Sequence, residues 1–349
     1  MADFIEIDFI EAGERGSGDA ITLRHRREGY DSIYVIDGGY RDDGNTIVDH
    51  IRMYYGANSS IDHLVLSHPD SDHASGLVTV LEKMTVGCLW MNRPWMHVDQ
   101  LMPMFERYQD RDRLTARLRR DFPKVAELES LANGKNITIQ DAFQGDTIGE
   151  FTVLSPHKET YFELIVKSDK TPVPAEKRLA HLAKSISDAE WGEENLKGDT
   201  EGTSPENETS IVQFAEVCGK KIILTGDAGV GALTEAYQAA YGIGRPIGSP
   251  DWFQVPHHGS RRNVSTDVLN KLLGDILPEV HTPPKGKFAI ISANRNDAEH
   301  PKKAVIRAMI HRGRSVFQTR GTLCVSSDNA PPRNWAQAIP LEYPRGQED

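Results

Sequence analysis

Short apolar runs punctuated by turn residues make up most of the chain, and their texture changes in the middle third. FIEIDFI (4–10), AITLRH (20–25), SIYVIDGG (32–39) and IDHLVLSH (61–68) are rich in β-branched residues and bounded by Gly, Asp or Ser, a pattern that predicts strands. NTIVDHIRMYYG (45–56) has apolar residues at helical spacing and stops at Gly56, so it predicts a helix. Asp37-Gly38-Gly39 predicts a tight turn, and Gly16 and Gly18 around Ser17 predict a close backbone approach just before Asp19. Residues 94–134 are charged and helix-periodic, ITIQDA and EFTVLSP are strand-like, and the polar tract 184–208 predicts a long loop or mobile lid. We read about 92–205 as an insertion in a β-rich scaffold. Strands return at 210–216, 220–227, 251–258, 287–293, 315–320 and 322–327, with helices expected at 230–241, 265–273 and 301–312. Residues 1–330 are expected to form one domain, and the Pro-rich 331–349 a C-terminal strap or frayed tail.

The 349 residues are 38% apolar, enough for a proper core. No apolar run approaches the roughly 18–20 residues of a membrane span, and the N-terminus lacks the basic-then-apolar build of a signal peptide. A cytoplasmic protein without membrane contact is expected. Cys88, Cys218 and Cys324 are odd in number and far apart, which argues against a disulfide framework or a CxxC zinc site. Forty basic against 51 acidic residues give a net charge of −11. That balance excludes a surface gripping nucleic acid over its whole extent and leaves room for a local basic patch.

The chemistry concentrates at three strand ends. SHPDSDHASG (67–76) brings His68, Asp70, Asp72 and His73, LTGDAG brings Asp227, and VPHHGS brings His257 and His258. Alternate residues of an extended segment share a face, so His68 and Asp70 can point together. Asp72 and His73 then enter a turn and can aim at a neighbouring point. Imidazoles and carboxylates at this spacing suit two divalent ions sharing a carboxylate, for which Asp227 is the natural bridge. His25, His50, His63, His97, His181 and His311 are expected to be ordinary surface or helix-face histidines.

The set resembles the metallo-β-lactamase fold superfamily, whose usual signature is HxHxDH. Here the motif reads His68-Pro69-Asp70-Ser71-Asp72-His73, an HxDxDH variant similar to the soluble C-terminal domain of the ComEC competence proteins and its stand-alone relatives. GSGDAITL, VIDGG, ENETSIVQF, LTGDAG, VPHHGS, NRNDAEHPKKAVIRAM and FQTRGTLCV resemble further landmarks of that group. The resemblance implies an αββα sandwich of two mixed sheets flanked by helices. It implies one ion held by His68, Asp70 and Asp227 and another by Asp72, His73, Asp227 and His257, with His258 an alternative to His257. Asn207 stands where the superfamily normally has a further His, with His157 as a substitute ligand. Harder donors make Mn²⁺ a credible alternative to Zn²⁺.

Two such ions generate hydroxide near neutral pH, and the expected function is hydrolysis of a phosphodiester, foremost DNA, by hydroxide bridging the metals. Asp72, His258 and His300 are the expected catalytic groups, the histidines as general acid or phosphate ligand. Asn207, Ser260, Arg261 and Arg262 are expected at the substrate, with Lys285, Lys287, Arg295, Lys302 and Lys303 steering anions. Ser71 and Ser260 lack a GxSxG context and are turn hydroxyls, not nucleophiles. Alternatives are a small-molecule hydrolase (a nucleotide signal, lactone or other ester), or a metal-stabilised protein without activity that meets a protein partner through the insertion.

Overall fold

The computed structural model describes residues 2–14, 16–105, 109–170, 190–279 and 283–346. His181, expected as a surface histidine, and part of the polar tract lie outside them. Strands β1 (Phe4–Ile10), β2 (Ala20–Arg27) and β3 (Tyr30–Gly38) open the chain. Helix α1 (Asp43–His50), extended by a π-helical turn to Tyr55, leads to β4 (Ile61–Val65), α2 (Ser71–Lys83) and β5 (Val86–Trp90). The short α3 (Val98–Leu101), then α4 (Arg111–Asp121) and α5 (Pro123–Gly134), precede β6 (Thr138–Gln140), β7 (Thr147–Ile148) and β8 (Phe151–Ser155). Next come α6 (Lys158–Lys170), α7 (Pro205–Glu208), β9 (Val212–Val217), β10 (Lys220–Leu224), α8 (Val230–Gly242) and β11 (Trp252–Gln254). The chain ends through α9 (Thr266–Leu273), β12 (Phe288–Ile291), α10 (Lys303–His311), β13 (Ser315–Gln318) and β14 (Thr322–Ser326).

These strands make two seven-stranded sheets, ordered β14-β1-β2-β3-β4-β5-β6 and β13-β12-β11-β10-β9-β8-β7. Each is half antiparallel and half parallel: β14 to β3 and β7 to β10 pair antiparallel, β3 to β6 and β10 to β13 parallel. Alternation along the strands explains the layering. In β1, Ile5, Ile7 and Phe9 face the second sheet and join Tyr34, Ile36, Phe151, Ile222 and Trp252 in the central core. Val35 and Leu64 face outward onto α1 and α2, while Phe253 and Ala289 face outward onto α8 and α9. The result is the expected αββα sandwich of two mixed sheets.

Several elements differ from the sequence expectation. Within 92–205, β6 completes the first sheet and β7 and β8 the second, so only part of that stretch stands outside the sandwich. IDHLVLSH is a strand only to Val65, and the turn or helix start expected after it is the first turn of the 13-residue α2. His25, His50, His97 and His311 are buried, His50 and His311 on helices as the helix-face expectation allowed. His50 pairs with Asp8 and His311 with Glu194, because a histidine on a covered helix face must find a polar partner. The C-terminal segment crosses the molecule: Arg333 reaches Glu6 and Asp8, Leu341 N donates to Val316 O, and Arg307 donates to Pro344 O and Gly346 O. No helix among the described residues is long and apolar enough to cross a membrane.

Candidate metal centre

The two sheets bring one set of loops to a common edge, as open sheets commonly do at the carboxyl ends of parallel strands. Asp37 ends β3, His68 follows β4, and Asp227 follows β10 through the left-handed Gly226 (φ 52°). His257 and His258 follow β11 in a tight turn. Asp72 and His73 arrive on the first turn of α2, which lies hard against β3: a Cβ on Gly76 would collide with the Gly38 carbonyl oxygen. Similarly, a Cβ on Gly18 would strike the Asp72 carbonyl oxygen, so the glycines before Asp19 let β2 begin beside α2. The sequence thus spends its glycines where acidic and imidazole tips must meet.

His73 Nε2 lies 3.2 Å from Asp227 Oδ1, and His68 Nε2 lies 3.7 Å from Asp227 Oδ2 and from Asp70 Oδ2. His258 Nε2 lies 3.5 Å from Asp72 Oδ2 and 4.0 Å from Asp227 Oδ1, and His73 Nε2 is 4.0 Å from Asp72 Oδ2. Donors about 2.0–2.2 Å from one ion sit about 3–4.3 Å from each other, so these separations suit shared cations. Asp227 presents one oxygen to each group. The geometry puts His258, rather than His257, beside Asp72 and His73. His257 Nε2 lies 3.7 Å from the other Asp227 oxygen, at the more exposed mouth of the site.

The second ring nitrogen of each histidine fixes which nitrogen is open. His258 Nδ1 lies 2.8 Å from the Ser292 carbonyl oxygen, which only accepts, so Nδ1 carries the proton. His73 Nδ1 donates to Asp37 Oδ2 at 2.8 Å. Ser67 Oγ donates to the same carboxylate at 2.6 Å and is therefore free to accept from His68 Nδ1 at 3.0 Å. All three rings are left with a bare Nε2 aimed inward, the arrangement expected of metal-ligating histidines. His257 differs, since its Nδ1 faces the Asn207 side-chain amide nitrogen at 2.8 Å. Asn207 Oδ1 is taken by the Ser204 hydroxyl.

Five buried atoms here have no hydrogen-bond partner: Asp19 Oδ1, His68 Nε2, His73 Nε2, Asp227 Oδ1 and His258 Nε2. Orphaned polar groups are rare in native interiors, and several facing one point indicate an ion. Electrostatics agrees. Burial drives the His68, His73 and His258 pKa values down, yet Asp227 and neighbouring carboxylates outweigh it and push all three up, His258 to about 9. Asp72 falls to about 2 despite burial, through His258 and His73. The carboxylates thus concentrate negative charge on the three rings, which a divalent cation taking the place of the ring protons would also neutralise.

His300 stacks on His257 with ring centroids 5.9 Å apart, and its Nδ1 is 3.3 Å from Asp297 Oδ2. Burial and the neighbouring imidazoles push it down to about 4. Ser260 Oγ accepts from Arg262 N, and the Arg261 carbonyl accepts from Lys197 N. Four of the expected steering groups are committed elsewhere: Arg262 to Glu201, Arg295 to Glu11, Lys302 to Glu299 and Lys287 to Asp251. His157 is half exposed and pairs with Glu159. Sequence reasoning overlooked Asp19 and Asp37 as site residues. Their signal was the glycine-rich punctuation, GSGD and DGG, read as a close backbone approach, a tight turn and family landmarks but not as sources of site carboxylates.

No family model and no curated protein matches the chain. Among solved structures it is similar to the metallo-β-lactamase fold protein YhfI from Bacillus subtilis, at 10% identity and a TM-score of 0.40, over 93% of this chain and 100% of that one. It is also similar to Zn²⁺-bound PqqB from Methylobacterium extorquens, at 11% identity and a TM-score of 0.41, over 91% and 99%. A third is AidC, a dizinc quorum-quenching lactonase, at 12% identity and a TM-score of 0.30, over 64% and 67%. At such values the functional reading rests on the site's own geometry.

Proposed function

We propose that this protein is a metal-dependent hydrolase of phosphodiesters working with two divalent ions, with DNA the first substrate to test. The observation that carries the reading is the trio of inward Nε2 atoms, each with its Nδ1 committed, around the two oxygens of Asp227. His68, Asp70 and Asp227 would hold one ion; Asp72, His73, Asp227 and His258 would hold the other. Such a pair supplies an activated water and stabilises charge building on the attacked group. Asp37 keeps the His68 and His73 rings in the ligand tautomer. His257, whose Nδ1 faces the Asn207 amide and whose Nε2 therefore carries the proton, would donate a hydrogen bond to a departing oxygen from beside the centre, with His300 stacked on its ring. The HxDxDH motif and its accompanying landmarks favour phosphorus over carbon as the attacked atom.

A small phosphodiester or other ester is the second reading. It is favoured by the ion pairs that tie up Arg262, Lys287, Arg295 and Lys302, which leave those four groups less free to grip a long polyanion. Linear, circular and single-stranded DNA, and bis(p-nitrophenyl) phosphate, incubated with Mn²⁺ or Zn²⁺ separate the two. DNA cleavage that falls about 10²–10³-fold in Asp72→Ala supports the first. Turnover of the small diester alone supports the second. Bound metal with no turnover of either leaves the metal-stabilised partner protein.

A further inference from the structure

We infer that Asp19 is a ligand of the second metal ion, which makes that site rich in carboxylates and selective for Mn²⁺ over Zn²⁺. The inference rests on the two-ion reading above and adds a residue that the HxDxDH, LTGDAG and VPHHGS motifs do not contain. Asp19 is 1% exposed, and one of its carboxylate oxygens lies within 4.8 Å of the ligand atoms of Asp227 and His258. Oδ2 accepts from Gln254 Nε2 at 2.8 Å, while Oδ1 has no partner.

The surrounding donors show why a proton from a neighbouring imidazole does not satisfy it. His73 Nδ1 is 3.8 Å from Asp19 Oδ2 but only 2.8 Å from Asp37 Oδ2, so its proton goes to Asp37. His258 Nδ1 is given to the Ser292 carbonyl. Asp37 is closed in turn: Ser67 N and Oγ and His73 Nδ1 fill both its oxygens. Of the two buried aspartates beside the ligand histidines, Asp37 therefore orients the rings, and Asp19 alone keeps an open oxygen. A buried carboxylate held by one neutral amide is costly unless a cation shares it. Gln254 is well placed to aim it, since its Oε1 is pinned by Thr225 N at 2.8 Å, on the loop that carries Asp227.

With Asp19, the second site offers carboxylates from Asp19, Asp72 and Asp227 and imidazoles from His73 and His258. Three carboxylates against two imidazoles, five donor groups in all, favour Mn²⁺ over tetrahedral Zn²⁺.

The test loads metal-free protein with equimolar Mn²⁺ and Zn²⁺, counts each by elemental analysis, and titrates Mn²⁺ calorimetrically. In Asp19→Asn, which keeps the side-chain shape, the Mn²⁺ dissociation constant of one of two sites should rise at least about tenfold, and the Mn:Zn ratio should fall. Gln254→Leu removes the aiming donor together with the acceptor for Thr225 N and should weaken the same site by less; it carries the test if Asp19→Asn does not fold. Two ions bound by Asp19→Asn with wild-type affinity and selectivity would overturn the role of Asp19 while leaving the two-ion reading intact. Wild-type protein that binds no divalent ion would overturn both.

Discussion

A histidine offers two nitrogens, and its function here depends on which one its neighbours occupy. His257 and His258 are adjacent, and both have left-handed backbone (φ 48° and 55°), as does Asp37 (φ 57°). That conformation costs roughly 1–2 kcal/mol per non-glycine residue and collects at functional positions. Substitution by Asn, which tolerates left-handed φ, separates the two rings without disturbing the turn. His258→Asn should lose one metal ion by elemental analysis. His257→Asn should keep both and lose about 10²-fold in turnover. If instead His257→Asn sheds metal, the assignment of the pair is reversed. His68, Asp70, Asp72, His73 and Asp227 were legible in sequence because strand-end spacing announces them. Which of His257 and His258 turns its ring toward Asp72 and His73 was not, because the Ser292 carbonyl and the Asn207 amide that they meet are brought near only by folding.

At the scale of elements, the site depends on how closely α2 approaches β3. Gly38 and Gly76 line that contact and Gly44 of α1 lines the neighbouring one with α2, and a Cβ at any of them would strike backbone of the facing element. Gly76→Ala should therefore push α2 away from β3 and carry Asp72 and His73 with it. We expect about 2–3 kcal/mol lower stability by urea unfolding, together with weakened metal binding. Loss of stability with metal affinity unchanged would show that the helix shifts without moving its first turn. Alternating and helical periodicities revealed most strands and the helices α8, α9 and α10. They did not delimit α2, whose N-terminal residues are chosen for chemistry: SHPDSDHASG reads as a turn or a helix start until the apolar LVTVL behind it is counted into the same helix.

Across the whole molecule, stability leans on a second charged cluster far along the chain from the candidate ligands. Arg333, from the C-terminal segment, sits 3.0 Å from Glu6 and 2.9 Å from Asp8 on β1, with its guanidinium 4.5 Å from the Tyr54 ring centre. Removing one member of a buried pair strands its partners, so Arg333→Ala should cost about 3–5 kcal/mol in chemical denaturation. Burial alone would raise the Asp8 pKa, but His50, Arg333 and the Tyr55 hydrogen bond outweigh it and hold the group below its ordinary value. A carboxyl lowered in the folded state contributes stability that is complete above the unfolded value of about 3.9 and is lost as pH falls through the folded one. Acid unfolding followed by circular dichroism should accordingly steepen below about pH 4, and Arg333→Ala should move its midpoint upward. An unchanged midpoint would mean that the cluster does not govern acid stability.

The position of the candidate ligands between the sheets has a mechanical consequence. Asp19, His68, Asp72 and His73 belong to one sheet and its flanking helix, Asp227 and His258 to the other. Cations gripped by both slabs would act as rivets along the seam, resisting any slide of one slab over the other and turning a chelator into a loosening agent for the entire sandwich.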